Sequence, residues 1–327
     1  MLAVETHDLV KTYSTVKKEP GIGGAFRSLF TRQKTLIPAV QGVSLSIDQG
    51  QLVGFLGPNG AGKTTTLKML TGILHPTSGT ASVLGFEPET RNPEMLRQIA
   101  LVMGNKNQLW WDLPAWDSFI VLRELYDVPH DKFKQRVDRL VETLQLADKV
   151  NTQVRKLSLG ERMKCELVAA LLHSPRVVFL DEPTIGLDIV SQKAIREFLL
   201  DIHREEGCTI LLTSHYMQDV QALCDRVIVI DKGLKIFDDS LDVLSRQFSD
   251  RRRIILRFQS PVEIGDLSTY GEVADFASDS AAIDVSRNDT PRIAAAMLEH
   301  LPVEDIAIED VDIEEIIRKM FTPSTDS

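Results

Sequence analysis

The chain has 327 residues, of which 43% are hydrophobic and 26% charged, and its formal net charge is −10. This length and composition suit a globular protein of one large or two smaller domains. The negative charge argues against a dedicated nucleic-acid binder, because affinity for a phosphate backbone needs clustered basic residues. The three cysteines, Cys165, Cys208 and Cys224, show no C-x-x-C spacing, which favours a reducing compartment and no structural zinc.

No targeting or membrane-spanning segment is predicted. The N-terminal residues lack a basic start followed by an apolar stretch, so no signal peptide is expected. The apolar runs are far shorter than the roughly 20 residues that a membrane-spanning helix needs.

The first 48 residues predict strands that flank a basic segment. Residues 1–13 and 39–48 alternate apolar and polar positions, as half-buried strands do. Residues 14–36 between them carry five Lys or Arg and one Glu, a net charge of 5 − 1 = +4. We interpret this segment as an insertion. It is either a solvated loop or, given the helical spacing of apolar residues from Phe26 to Phe30, a short amphipathic helix that rests on an anionic lipid surface.

Residues 57–64 read Gly-Pro-Asn-Gly-Ala-Gly-Lys-Thr, a complete G-x-x-x-x-G-K-[ST] phosphate loop between an apolar strand and a helix-compatible segment. In such a loop the backbone N–H groups and the helix N-terminus face phosphate oxygens. Lys63 is predicted to reach the outer phosphates, and the Thr64 hydroxyl to ligate Mg²⁺. The predicted nucleotide contacts of this loop are Gly57, Asn59, Gly60, Ala61, Gly62, Lys63, Thr64 and Thr65.

The middle of the chain predicts helices and then a return to strands. Residues 92–176 show helical periodicity, for example from Phe133 to Leu144, and predict a largely helical subdomain. Strand-like runs follow at 177–180, 209–213 and 227–231, separated by helical stretches. This alternation is typical of α/β proteins.

An apolar strand that ends in two acids complements the phosphate loop. Asp181 at the strand end can hold Mg²⁺, directly or through water, and Glu182 can polarise a water for attack on a γ-phosphate. The alternative is a core strand that is capped by solvated acids. The phosphate loop upstream favours the catalytic interpretation.

The composition changes near residue 249. Residues 254–327 carry 16 Asp or Glu and 5 Lys or Arg, a net charge of 5 − 16 = −11. Strands are predicted at 254–258, 283–285 and 303–308, and helices after Thr290 and at 313–321. We therefore predict a first domain over residues 1–245 and a small acidic α+β accessory domain over residues 246–327.

The order of these motifs resembles the ATP-binding cassette (ABC) family. The helix start Leu-Ser-Leu-Gly-Glu at 157–161 lies between the phosphate loop and the Asp-Glu strand and is similar to the family signature. The resemblance spans residues 1 to about 245. It implies an α/β fold with a P-loop (RecA-like) ATP-binding cassette core and a helical signature subdomain at about 92–176. It also implies ATP hydrolysis, with ATP and Mg²⁺ as cofactors.

The resemblance assigns roles to residues outside the phosphate loop. Tyr13 resembles the aromatic residue that stacks on adenine, although a lone Tyr near a strand end is more often core or surface. Ser158 and Gly160 resemble the signature that contacts the γ-phosphate of ATP held by another subunit. Asp188 lies in a segment that resembles the loop by which the two subunits communicate across the dimer. His215 resembles the switch histidine that senses the γ-phosphate. Glu182 resembles the catalytic base of the family.

Two features depart from the family pattern. Leu159 replaces one glycine of the signature pair, and Glu161 stands where Gln is usual. The loop that normally supplies a Gln to Mg²⁺ and the attacking water carries Asn105, whose amide is one methylene shorter. Gln108, three residues on, is the alternative for this position, and Asn105 is preferred.

The resemblance also implies partners. A single cassette holds only half of each ATP site, so a second cassette, as a homodimer, is expected. Trp110, Trp111 and Asp112 lie where cassettes receive a coupling helix of a membrane permease, and adjacent Trp residues are typical interface anchors. The alternative place for the two Trp is the core of the helical subdomain.

Within the family, the segment at 108–114, the signature and the acidic tail resemble ABC-2 type exporter ATPases for drugs or viologens. A peripheral position on the cytoplasmic face of the membrane, without a nucleic-acid partner, follows from that resemblance. Soluble cassettes are the alternative, but the translation type has two fused cassettes and the DNA-repair type a long coiled coil, and neither feature is visible here. A P-loop kinase or GTPase would lack the signature and the switch histidine.

Overall fold

A computed structural model of the chain describes residues 1–16, 34–104, 106–214, 216–248 and 251–310. The chain divides into two compact units, Met1–Asp238 and Asp239–Ser327. The division falls at Asp238, a few residues before the boundary that the change in composition predicts.

The first unit contains nine strands and seven helices among the described residues. Its strands are β1 Leu2–Val16, β2 Lys34–Asp48, β3 Leu52–Leu56, β4 Ser78–Val83, β5 Ile99–Met103, β6 Val177–Asp181, β7 Thr209–Thr213, β8 Arg226–Asp231 and β9 Leu234–Ser240, the last of which crosses the division. Its helices are α1 Lys63–Leu70, α2 Pro93–Leu96, α3 Ala115–Leu125, α4 His130–Thr143, α5 Leu159–Leu171, α6 Ile189–Glu206 and α7 Met217–Leu223.

The centre of the first unit is a six-stranded sheet in the order β5-β6-β7-β3-β8-β9. Every residue of β3, β6 and β7 is buried, and the first five strands of the order pair in parallel. Short, wholly apolar strands are typical of parallel sheets that are covered on both faces. Because parallel strands end at one edge, this sheet brings the residues that follow β3, β6 and β7 together.

A second sheet, in the order β2-β1-β4, is antiparallel. The pairing of β1 with β2 continues to Thr15 opposite Thr35 and Val16 opposite Lys34. Both ends of the predicted insertion at 14–36 are therefore strand, and its residues 17–33 lie outside the described part of the chain. A predicted lipid-binding helix in that segment stays a prediction.

The segment at 92–176 contains helices α2 to α5, the loops that join them, and one strand, β5, which was not predicted from the sequence. Helix α4 buries Phe133, Val137 and Leu140 on one face, as the periodicity predicts. However, Ile99–Met103 pairs with β6 and belongs to the central sheet. A five-residue apolar run has no period that separates a buried strand from a buried helix, which explains the error.

The second unit is a four-stranded antiparallel sheet in the order β11-β12-β10-β13, with a core that includes Ile254, Ile283 and Met297. Its described elements are α8 Leu241–Phe248, β10 Arg251–Phe258, α9 Ile264–Leu267, β11 Glu272–Ala277, β12 Ser280–Ser286, α10 Thr290–His300 and β13 Val303–Asp310. The α+β accessory domain is thus confirmed, while the helix predicted at 313–321 lies outside the described residues.

None of the helices in the described part of the chain is both long enough and apolar enough to span a membrane.

Candidate functional site

The phosphate loop joins β3 to α1, as the sequence predicts. Gly62, at the N-cap of α1, has φ +109°, and a Cβ there would lie 2.4 Å from the carbonyl oxygen of Ala39, so only glycine fits. Asn59 and Gly60 are exposed at the outer turn, and the N–H of Ala61 donates to the Pro58 carbonyl at 3.1 Å. No side chain caps the N-terminus of α1, so its first N–H groups are available to an anion.

Lys63 begins α1, and its ammonium lies inside the loop. Its Nζ donates to the carbonyl oxygens of Gly57 at 2.5 Å and Pro58 at 3.1 Å. Burial lowers the pKa of Lys63, while the nearby charges of Glu182 and Asp181 act in the opposite direction. The loop thus holds a cation against two carboxylates at the carboxyl edge of the sheet.

Asp181, the last residue of β6, joins the phosphate loop to β7. Its Oδ2 accepts from the Thr64 hydroxyl at 2.7 Å, and its Oδ1 accepts from the Thr213 hydroxyl at 2.8 Å. These oxygens are the hard ligands that Mg²⁺ prefers, and Thr64 and Asp181 fit it by the chemistry of their donor set. Thr213 was not predicted from the sequence, although a hydroxyl at the end of an apolar strand beside Asp181 was a usable signal.

Glu182 follows Asp181 in a left-handed backbone conformation with φ +56°. Non-glycine residues adopt this conformation at a cost, which the surrounding structure must offset. Here the Glu182 N–H donates to both the carbonyl and the hydroxyl oxygen of Thr213 at 3.1 Å. These bonds fix the turn that presents the Glu182 carboxyl beside Lys63.

Tyr13 lies in β1 opposite Ile37 of β2, with its side chain 38% exposed. The Lys11 ammonium lies 5.7 Å from the centre of its ring. Ala39, two residues beyond Ile37, contacts the phosphate loop at Gly62. Tyr13 is therefore an exposed ring on a strand pair that reaches the loop, and its contact with adenine stays a prediction.

The loop after β5 approaches Glu182 from the side. A Cβ at Gly104 would lie 2.2 Å from the Glu182 carbonyl oxygen, and the Gly104 N–H donates to the Asp181 carbonyl at 2.8 Å. Asn105 lies outside the described residues. The alternative, Gln108, donates its side-chain amide to the Leu101 carbonyl at 2.8 Å, which directs that amide back to β5. This contact favours Asn105 for the predicted role.

Glu166 of α5 holds the same loop and was missed by the sequence analysis. Glu166 is only 2% exposed, and its carboxylate accepts from the Gln108 N–H at 3.0 Å and from the Leu109 N–H at 3.3 Å. Burial raises the pKa of Glu166, and the two backbone bonds together with the charge of Arg162 lower it. A lone acid within the apolar run 165–172 was the available signal.

The signature residues form a second group with Asp188. Ser158 caps α5 by accepting from the Glu161 N–H at 3.2 Å, and Glu161 accepts in return from the Ser158 N–H at 2.9 Å, a capping box. A Cβ at Gly160 would lie 2.4 Å from the hydroxyl of Ser191, whose N–H and hydroxyl both donate to Asp188. The signature and the start of α6 are therefore in direct contact.

This contact includes an ionised side chain, Asp188, and an apolar one, Leu159. The bonds from Ser191 lower the pKa of Asp188, which keeps it ionised at the N-terminus of α6. A Cβ at Gly186 would lie 3.4 Å from the Leu159 side chain. The bulk that replaces the usual signature glycine thus packs beside Gly186.

Trp110 and Trp111 are each 46% exposed and do not belong to the buried core. The Arg162 guanidinium lies 5.3 Å from the centre of the Trp111 ring, and Asp112 pairs with Arg155 at 3.1 Å. The Trp110 N–H donates to the Ser118 hydroxyl at 3.2 Å. The pair is half-exposed on a segment that the helical subdomain fixes, and its contact with a permease stays a prediction.

His215 lies outside the described residues, although its sequence neighbours Ser214 and Tyr216 are described. Seven of the other predicted residues form two groups. Lys63, Thr64, Asp181 and Glu182 meet at the carboxyl edge of the sheet, and Ser158, Gly160 and Asp188 meet at the start of α5 and α6. A phosphate loop beside two acids at the end of a neighbouring strand fits a nucleotide hydrolase site.

Comparison with known proteins identifies the family. The family model described as ABC transporter matches residues 40–185. The ABC transporter ATP-binding protein NatA of Bacillus subtilis is 38% identical over 215 residues, which cover 66% of this chain and 87% of that protein. The chain therefore belongs to the ATP-binding proteins of the ABC transporter family, as the motifs predict.

Further comparisons refine this result. Residues 250–309 match the family model described as EvrA-like ABC transporter, C-terminal domain. The Nod factor export ATP-binding protein I of Burkholderia orbicola is 39% identical over 197 residues, 60% of this chain and 64% of that protein. A solved ATP-binding subunit of an ABC transporter is 25% identical, with a TM-score of 0.63, over 75% of this chain and 93% of that one. A dimeric cassette bound to ADP and Pi shares the fold, with a TM-score of 0.61 at 22% identity over 73% of this chain and 98% of that one.

Proposed function

We propose that this chain is the ATP-hydrolysing subunit of an ABC-2 type exporter, and that it drives the efflux of substrate through separate permease subunits. The observation that carries this proposal is the meeting of Lys63, Thr64, Asp181 and Glu182 at one sheet edge. The names of relatives support the direction of transport. They include the Nod factor export protein and the linearmycin resistance protein LnrL of Bacillus subtilis, 33% identical over 64% of this chain and 68% of that protein. A soluble cassette without a permease is not favoured.

The chemistry follows from the geometry of the first group. The backbone N–H groups of the loop and Lys63 bind the phosphates of ATP, and Glu182 accepts a proton from the attacking water. Thr64 and Asp181 would hold Mg²⁺, which neutralises phosphate charge when bound. Thr213 keeps both Asp181 and Glu182 in place through its hydroxyl. Asn105 and His215 are proposed to contact the water and the γ-phosphate.

A second copy of the chain completes the proposed site. Ser158 and Gly160 belong to a different group of contacts from Lys63 and Glu182, so one cassette presents two half-sites. We propose that two copies associate head to tail around two ATP molecules, with the signature and Asp188 of each facing the phosphate loop of the other. ATP binding then closes the dimer, and hydrolysis opens it.

A groove of about 700 Å³ in the first unit is the proposed binding site for the permease. Its walls carry exposed apolar side chains at Ile73 and Leu125 and basic ones such as Lys68 and Arg97. Gln108 also lines it, so the groove reaches the segment that bears Trp110 and Trp111. A short amphipathic segment with acidic residues fits this lining. A subunit that binds a permease in this way lies on the cytoplasmic face of the membrane.

Two variants test the nucleotide chemistry in the purified chain. Lys63→Ala is expected to lose ATP binding, whereas Lys68→Ala on the same helix is expected to retain it, because Lys68 lies in the last turn of α1 and Lys63 at its start, inside the loop. Glu182→Gln is expected to bind ATP and to accumulate as an ATP-bound dimer without turnover. Retained binding in Lys63→Ala, or rapid hydrolysis in Glu182→Gln, contradicts the proposal. Isothermal titration and a phosphate-release assay measure the two outcomes.

A further inference from the structure

Asp219 is a fully buried acid that the proposed chemistry does not use. Asp219 lies in α7 and is 0% exposed to solvent. An ionised carboxylate inside a protein is costly unless charged and polar partners surround it. Such a group does not add stability over an apolar residue of similar volume. Its partners therefore indicate what it holds in place.

The partners of Asp219 come from three separate segments. Its Oδ1 accepts from the Arg196 guanidinium of α6 at 2.6 Å. Its Oδ2 accepts from the Ser214 hydroxyl at 2.9 Å and from the Thr184 hydroxyl. Thr184 and Ser214 are themselves buried, and the Arg196 side chain is largely so. One carboxylate thus joins a turn, a loop and a helix.

Each of these segments adjoins a residue of the proposed machinery. Thr184 lies two residues after Glu182, and its carbonyl also accepts from the Gln192 amide at 3.4 Å. Ser214 directly precedes residue 215, and its hydroxyl accepts from the Tyr216 N–H at 3.0 Å. Ser214 therefore contacts Asp219 directly, and Tyr216 is linked to Asp219 through the Ser214 hydroxyl. Arg196 belongs to α6, which Asp188 caps.

We propose that Asp219 is a positioning residue that holds the turn of Glu182 and the loop of residue 215 in a fixed position relative to each other. The base and the switch then respond to the γ-phosphate as a single unit instead of moving independently. This inference rests on the proposed function, because it takes Glu182 as the base and His215 as the switch. It assigns Asp219 no contact with ATP.

The test compares kinetics and binding in the full-length chain. Asp219→Asn keeps the side-chain volume and removes the charge, and kcat is expected to fall about 10- to 100-fold because the catalytic groups lose their alignment. The Kd for ATP is expected to stay within about twofold, since the loop around Lys63 is untouched. Asp238→Asn is the matched control. Asp238 binds Arg226 at 2.9 Å, and Arg226 also binds Gln51 just before β3, at the opposite edge of the sheet.

A double-mutant cycle separates positioning from stability. If Asp219 acts through residue 215, adding Asp219→Asn to His215→Ala lowers kcat by less than about threefold. An equal loss in both backgrounds, or a loss of kcat in Asp238→Asn as large as that in Asp219→Asn, overturns the inference. Thr184→Val, which removes only one hydroxyl, replaces Asp219→Asn if the latter does not fold, with an expected loss of about fivefold. Normal turnover in Thr184→Val then overturns the inference.

The same measurements distinguish this inference from the proposed function. A normal kcat in His215→Ala alone contradicts the role of residue 215 and removes the basis of the inference. A strong loss in His215→Ala together with a normal kcat in Asp219→Asn leaves the proposed function intact and refutes the positioning role alone.

Discussion

Glu166 offers a direct test of how the signature helix holds the loop after β5. Its carboxylate accepts two consecutive backbone N–H groups, those of Gln108 and Leu109, in a site that is closed to solvent. The Gln108 N–H reaches both carboxylate oxygens, at 3.0 and 3.1 Å, and Oε1 also accepts from the Leu109 N–H at 3.3 Å. In Glu166→Gln the carbonyl oxygen in the place of Oε1 still accepts from both N–H groups, but the new amide in the place of Oε2 presents a donor to the Gln108 N–H. One charge-assisted hydrogen bond is therefore replaced by a contact between two donors, and the other two lose their charged acceptor.

The magnitude follows from these two changes. Loss of a hydrogen bond to a charged acceptor costs about 1.5–3 kcal/mol, and relief of the buried charge offsets part of it. We expect the free energy of unfolding of the first unit to fall by about 1–2 kcal/mol. Glu197→Gln on α6 is the control, since its pair with Lys193 is exposed and its loss is expected to change that free energy by less than about 0.5 kcal/mol.

Tryptophan fluorescence during urea unfolding is the assay, because Trp110, Trp111 and Trp116 all lie in the first unit and report on it alone. Quenching by acrylamide in the folded state is expected to increase, since Trp110 and Trp111 directly follow the released backbone. An unfolding free energy for Glu166→Gln that equals that of the control would refute the reasoning.

Three further predictions concern single contacts. Burial lowers the pKa of His173 to about 4, so the unfolded chain binds its proton first as the pH falls below 6.5. Wild type is therefore expected to lose up to about 3 kcal/mol between pH 6.5 and 4 through this group, and His173→Phe to lack that part of the loss in urea titrations. Gly160→Ala is expected to destabilise by about 1–3 kcal/mol, and added Ser191→Gly to restore part of it; no restoration would contradict the contact. Thr213→Val is expected to raise the Mg²⁺ concentration for half-maximal ATPase activity about tenfold, whereas an unchanged requirement would show that Thr213 does not orient Asp181.

The parts of the fold that the sequence predicted share a strong local pattern. The phosphate loop needs glycine at position 62, because the backbone there has a positive φ and lies close to the Ala39 carbonyl. Such a requirement can be recognised directly from the glycine pattern of the sequence. The strands at 177–181 and 209–213 are continuous apolar runs between polar ends. By contrast, the equally short apolar run of β5 lies inside a segment with helical periodicity, and its neighbour in the sheet is β6, 78 residues away in sequence.

The missed site residues have a common physical reason. Thr213, Glu166 and Asp219 act through partners that are 32, 58 and between 5 and 35 residues away in sequence. The apolar residues around such a hydroxyl or carboxylate indicate that it is buried, but they do not identify the distant group that it contacts. Only the topology of the sheet and the packing of α5 and α7 bring these groups to the loops that they hold. An isolated acid within an apolar helix is the sign that sequence analysis can use.

Mixing two inactive variants tests most directly whether each ATP site is shared between two copies. Lys63→Ala lacks a working phosphate loop, and Ser158→Arg lacks a working signature. In a 1:1 mixture about half of the dimers contain one copy of each, and such a dimer keeps one intact composite site. The account predicts that ATPase activity returns to as much as about a quarter of the wild-type rate. A mixture that stays as inactive as its components, or a wild-type chain that hydrolyses ATP at full rate as a strict monomer, would contradict it.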